Sequence, residues 1–123
     1  MFTLSSSHCY HLYSQPTDMR KSFNGLSGII RNELDGNPCS GDVFIFVNRL
    51  RNKIKLLHWQ GIGFTLYYKR LEEGTFELLD YDPQVGSVTL SYVQIVMLVD
   101  GLSIKNIQRR KLFSLPEEPV MTG

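Results

Sequence analysis

The sequence predicts an α+β fold: one domain in which an antiparallel β-meander of four to five strands is accompanied by an N-terminal amphipathic helix and a short C-terminal helix. Three observations predict it. Val43 to Val47 is a continuous apolar run of strand length, built from valine, isoleucine and phenylalanine. Lys53 to Trp59 and Phe64 to Arg70 are two further strand-like runs on either side of Gln60-Gly61-Ile62-Gly63, whose glycines permit the positive φ of a tight hairpin. Met19, Phe23, Leu26, Ile30 and Leu34 recur at three- and four-residue steps, the spacing of one helix face.

The elements follow in order. His8 to Ser14 alternates and is rich in tyrosine and histidine, which suits a first strand ending before Pro16. Thr17 or Asp18 is placed to cap the helix that follows. Asp35-Gly36-Asn37-Pro38 then ends it, with residues that favour turns. Val43 to Val47, bounded by Gly41 and Asn48, reads as a central strand covered on both faces. With the two hairpin strands it makes a three-stranded meander. Thr75 to Leu79, after the turn Glu72-Glu73-Gly74, predicts a fourth strand, and Ser87 to Leu90 a short fifth. Ser91 to Val99 reads as the second helix, with Ser91 as cap, Val93, Val96 and Met97 on one face, and Gly101 just past its end. Periodicity is lost after Ser103, so residues 1–102 are expected to form the domain and 103–123 a partly flexible tail that frays or docks on a partner.

At 123 residues the chain suffices for one core, and its 42% hydrophobic and 20% charged residues are close to the globular average. Neither a metal nor a disulfide framework is needed. Cys9 and Cys39 offer a single pairing with no scaffold-like spacing, so reduced thiols in a cytoplasm are expected. Met1 to Ser14 has no basic n-region and no long apolar stretch, which predicts no signal peptide, and no run reaches the roughly 18 apolar residues of a membrane-spanning helix.

The net charge of +1 conceals an asymmetry. Up to Leu71 nine Lys/Arg face four Asp/Glu, whereas from Glu72 onward four face eight. Arg49, Arg51, Lys53, Lys55, Lys69 and Arg70 fall in a segment without one acidic residue. A hairpin turning at Gln60 to Gly63 sets Lys69 and Arg70 near Lys53 and Lys55, so the six bases gather at one end. Like charges opposed on strands are destabilising, which calls for an anionic partner such as phosphate. Read as extended chain, Arg49 to Lys55 would span roughly 20 Å and follow several phosphates. Trp59, Phe64, Tyr67 and Tyr68 lie in the same hairpin and are candidates for base stacking, although core packing explains aromatics there equally well. Arg20, Lys21 and Arg31, on the polar side of the first helix, would extend the basic surface or simply face solvent. The competing explanation for the whole cluster is a solvated surface balanced by Glu72, Glu73 and Glu77.

No catalytic centre stands out. His8, Cys9, His11, Cys39 and His58 are ligand-type residues, but their spacing does not build a tetrahedral zinc shell. Gly61-Ile62-Gly63 is too short for a nucleotide fingerprint and is explained by the hairpin turn. No nucleophile with its base and no phosphate loop is found, so neither an enzyme nor a cofactor is expected.

Four segments carry a resemblance: PTDMRKSFNGL at Pro16 to Leu26, SGDVFIF at Ser40 to Phe46, IKLLHWQGIGFTLYYKRLEEGTF at Ile54 to Phe76, and LSYVQIVMLVDGL at Leu90 to Leu102. Together they make the chain resemble the TnpB-type accessory protein, the second open reading frame, of the insertion-sequence sixty-six family of bacterial mobile elements. Ser22, Asn24 and His58 depart from that pattern, standing where glycine, aspartate and commonly tryptophan would be expected. The resemblance implies an accessory part in transposition beside a separate, larger transposase that holds the catalytic acidic residues. Three tasks are compatible with it: binding element DNA through the basic hairpin, adapting the transposase by protein contact alone, or a ribonuclease-like reaction with His58 as general base. The first is the leading expectation, and element DNA and the transposase are the expected partners.

Overall fold

Every residue of β2 (Val43–Val47) is buried, because its two faces serve two separate cores. The structure is a computed structural model that describes residues 5–78 and 84–100. Successive side chains of a strand point to opposite faces. Val43, Ile45 and Val47 accordingly enter one cluster, with Ile54, Leu56, Phe76, Ile95 and Leu98. Phe44 and Phe46 enter the other, with Leu26, Ile30 and Leu57.

Around β2 the sheet also contains β1 (Tyr10–Tyr13), β3 (Lys53–Trp59), β4 (Phe64–Arg70) and β5 (Ser87–Leu90), in the order β4-β3-β2-β1-β5. Helix α1 (Phe23–Asn32) covers one face through Leu26 and Ile30, and α2 (Tyr92–Val99) covers the other through Ile95 and Leu98. The meander β2-β3-β4 is antiparallel and its hairpin turns where expected: Gly61 has φ +91°, and the Gln60 N–H donates to the Gly63 carbonyl at 2.9 Å.

Four expectations about the sheet and the first helix need correction. The sheet is mixed rather than wholly antiparallel, since β1 runs parallel to β2 and is joined to it through α1; parallel neighbours require such a crossover. Residues 75–78 form no strand. Phe76 instead buries its ring in the α2-side core and donates its N–H to the Arg51 carbonyl at 2.7 Å; Leu79 lies outside the described residues. β5 does not extend the meander past β4, because it pairs antiparallel with β1 at the opposite edge. The first helix begins at Phe23, with Ser22 rather than Thr17 or Asp18 at its N-cap. Thr17 is tied to the sheet by its N–H, which donates to the Val47 carbonyl at 2.9 Å, and Lys55 takes the carbonyls of Met19 and Lys21.

Ser91 caps α2 as expected, and Gln94 completes a reciprocal capping box: the Ser91 hydroxyl accepts from the Gln94 N–H while the Gln94 side chain accepts from the Ser91 N–H. The buried face of α2 is Ile95 and Leu98, while Val93 is exposed, so the inward face lies one step away from Val93, Val96 and Met97. Gly101 and the tail lie outside the described residues. No helix among the described residues is long and apolar enough to cross a membrane.

Candidate nucleic-acid interface

The turn between β2 and β3 carries Arg49, Leu50 and Arg51, and Asn48 builds it. Its side-chain oxygen accepts from the N–H groups of Asn52 and Lys53, each at 3.0 Å, and its amide donates to the Asn52 side chain at 2.7 Å. The Arg51 N–H closes the turn on the Asn48 carbonyl at 3.0 Å, with Arg51 itself in the left-handed region at φ +59°. Asparagine suits this work because its short amide mimics a backbone turn. Arg49 to Lys55 is therefore a turn followed by a strand, and not one extended span of about 20 Å. The backbone that carries Arg49, Arg51 and Lys53 is thereby held over a short, ordered arc.

Facing this turn is the segment from Thr17 to Lys21, tied down by Lys55. The register Lys53↔Arg70, Ile54↔Lys69, Lys55↔Tyr68 puts Lys55 on the α1 side of the sheet. It is only 5% exposed. Its Nζ donates to the carbonyls of Met19 at 2.8 Å and Lys21 at 2.6 Å, and lies 4.7 Å from the centre of the Tyr68 ring. Buried cationic groups persist only when hydrogen-bonded or paired, and here carbonyl dipoles and an aromatic face supply the partners. Within the same segment Asp18 takes Arg20 in a multiple contact whose shortest distance is 2.7 Å. Hydrogen bonds from the Arg20 side chain hold the Asp18 carboxyl down at about 2.

Between the two segments lies an open depression of about 400 Å³ lined by Thr17, Asp18, Met19, Arg20, Asn48, Arg49, Leu50, Lys53 and Tyr68. Three cationic side chains against one carboxylate give its walls an excess of positive charge. Tyr68 is 51% exposed and Leu50 71% exposed, so a flat ring and an aliphatic side chain also border it.

The eight cationic candidates do not all meet here. Arg20, Arg49 and Lys53 line the depression. Arg51 sits on the same turn, and Arg70 is opposite Lys53 but is bound to Glu72 at 2.9 Å. Lys21 is exposed beside Arg20. Lys55 lies beneath the surface, as described. Lys69 points to the other face, where its Nζ donates to the Val99 carbonyl at the C-terminus of α2, 2.7 Å away, a position where a cation is favourable. The stacking candidates divide too. Tyr68 borders the depression, Trp59 packs edge-on against Phe64 beside the hairpin turn, and Tyr67 is half-buried in the α2-side core, where burial and then Asp100 push its hydroxyl pKa up. Sequence reasoning used Asn48 only to end the central strand and passed over Leu50. An asparagine opening a five-residue gap between two strands was the available signal for the turn, and an isoleucine-sized apolar residue inside that gap was the signal for an exposed one.

The family described as IS66 Orf2 like protein matches residues 8–109. The chain belongs to that family. Membership implies an accessory role in transposition for this IS66 Orf2-like protein. It is 31% identical over 99 residues to the uncharacterized protein y4jC of Sinorhizobium fredii, covering 79% of this chain and 81% of that one. It is also 30% identical over 92 residues to the uncharacterized protein y4hO of the same organism, covering 75% and 78%. No solved structure matches.

In this IS66 Orf2-like protein His58 lies away from the depression, near the hairpin turn and paired across the sheet with Val43 and Thr65. It is buried, with the His8 ring centred 4.7 Å away. Desolvation, and then the neighbouring charge of His8, lower its pKa from 6.5. The unfolded chain therefore binds the proton more readily than the folded one. This contribution to stability is complete above pH 6.5 and is lost progressively below it, until the pH reaches the folded-state value. His58→Gln should flatten the fall in urea midpoint between pH 7 and pH 5 relative to the native chain, and an unchanged slope would dismiss His58 as its source.

Proposed function

We propose that the protein is a non-catalytic accessory factor of transposition, acting in the cytoplasm, that binds element DNA at the open end of the β3-β4 hairpin and assists a separate element-encoded transposase. One observation carries the reading: Arg49, Arg51 and Lys53 make no ion pair among the described residues, yet a hydrogen-bonded turn holds them together beside an open depression. Unpaired cations held close repel one another, and phosphates relieve that repulsion.

The test is a salt titration of binding to duplex and single-stranded DNA from the element ends. Neutralising about three phosphates gives a slope of log K against log salt of roughly −2.7 on duplex and about −2 on a single strand. Changing Arg49, Arg51 and Lys53 together to alanine should bring the slope close to zero. Affinity and slope that survive the triple change would refute the reading.

A second reading, contact with the transposase alone, is favoured by the opposite end of the same hairpin. There Ile62 is 99% exposed, next to Trp59 and Phe64, and Phe23 is centred 6.5 Å from Phe64. Co-purification of the transposase that withstands nuclease and tolerates the triple change, with no DNA affinity in the isolated protein, would establish this reading in place of the first.

A further inference from the structure

We infer that the depression between the Thr17–Lys21 segment and the Asn48–Asn52 turn accepts an unpaired nucleotide of a single strand, with its base against Tyr68 and Leu50 and its phosphates on Arg49 and Lys53. This rests on the reading that the basic end binds nucleic acid and specifies what form the nucleic acid takes there.

The fold lacks the usual readers of a duplex among its described residues. Proteins that read the major groove insert an α-helix or a two-stranded ribbon that carries the contacting side chains. Helix α2 contains no Lys or Arg, and α1 contains only Arg31. The ribbon turns at Gln60-Gly61-Ile62-Gly63, which has no charge, while its bases stand at the other end. Six residue steps along β3 separate the two ends, about 20 Å. A ribbon entering a groove by its tip would leave its cations behind.

The depression itself has the form of a single-strand site. Its volume of about 400 Å³ lies within the roughly 300–1,000 Å³ typical of small-ligand sites, enough for one nucleotide. Sites for single strands combine a cationic groove along the backbone with an aromatic platform on which a base lies, and both parts are present. Tyr68 is a prepared platform, because the ammonium of Lys55 sits under one side of its ring and limits its motion while half of the residue remains exposed. Leu50 stands on a turn whose backbone is held by Asn48, so its exposure is enforced by the fold.

Fluorescence anisotropy of the full chain tests this with four probes of one sequence: single-stranded DNA, single-stranded RNA, the blunt DNA duplex, and that duplex with a single-stranded overhang. The single strands and the overhang should bind more tightly than the blunt duplex. Tyr68→Ala should weaken the single strands by about tenfold or more, with duplex binding changed less than about twofold, and Tyr68→Phe should restore the affinity. Leu50→Ser removes little packing and should weaken the single strands alone, so a folding defect at Tyr68 leaves the proposal open to refutation. Whichever single strand binds tighter, DNA or RNA, names the source of the nucleotide and supports the site. Blunt duplex bound as tightly as the single strands, or single-strand affinity indifferent to both Tyr68→Ala and Leu50→Ser, would overturn the inference while leaving the basic end as a duplex contact, provided that Arg49→Ala and Lys53→Ala still weaken binding. Absence of binding to all four probes overturns the inference and the proposed function together.

Discussion

Lys55→Ala is expected to destabilise the protein by about 3 kcal/mol, with a fall in melting temperature on the order of 10 °C. The Lys55 side chain is almost wholly enclosed, and its Nζ is the donor to two carbonyls, of Met19 and of Lys21. Removing it orphans both acceptors at about 1–3 kcal/mol each if water does not reach them, and discards the packing of its stem besides. Lys55→Met separates the two parts, since it retains most of the stem and none of the hydrogen bonds. If the bonds dominate, the two variants should lose similar stability in urea, and amide exchange should quicken at residues 19–22 in both. A loss below about 1 kcal/mol in Lys55→Met would show that water replaces the ammonium and that the segment stands without it.

Phe76→Ala should cost about 3–5 kcal/mol, the usual range for deleting a buried aromatic ring. The ring is fully buried among Val47, Ile54 and other members of the α2-side core, yet it belongs to no helix or strand. A residue in irregular chain is often dispensable, so the expected size of this effect is diagnostic. Phe76→Leu should recover more than half of the loss by refilling the volume. The hydrogen bond from the Phe76 N–H to the Arg51 carbonyl involves backbone atoms only and survives both changes, so nucleic-acid binding by the folded fraction should be preserved. A urea midpoint unchanged in Phe76→Ala would mean that the segment after β4 is not part of the core.

These two residues also show where a sequence stops being legible. The hairpin of β3 and β4 was readable in its limits and its turn because both are local: two strand-like runs flank a glycine turn, and Gly61 adopts the positive φ expected there, whereas the exact register came only with the structure. β2 was readable because an apolar run bounded by turn residues has few other uses. Thr17 to Ser22, in contrast, carries a helix-like spacing through Met19 and Phe23 that the fold does not honour. Its backbone groups are captured by Val47 and Lys55, which lie 30 or more positions further along the chain. Thr75 to Leu78 likewise has strand-like composition, but the edge of β4 is not where its phenylalanine is buried.

The same division runs through the candidate interface. Six bases with no intervening acid were visible as a composition, and their nearness followed from the hairpin. Which of them face solvent was not visible, because that depends on what covers each side of the sheet. Helix α2 ends over Lys69 and draws its ammonium to the Val99 carbonyl, and the segment before α1 closes over Lys55. Glu72 neutralises Arg70.

By itself, then, the sequence determined the elements governed by short-range rules: the central strand, the hairpin, the Ser91 cap and the concentration of positive charge. Tertiary structure alone decided the parallel placement of β1, the transfer of β5 to the far edge, and which of the six bases of the hairpin end, Arg49, Arg51 and Lys53, keep neither an ion pair nor a side-chain bond to a carbonyl among the described residues. The physical reason is that alternation and turn chemistry act between neighbours in the chain, whereas desolvation of a side chain is set by whatever distant segment comes to lie over it.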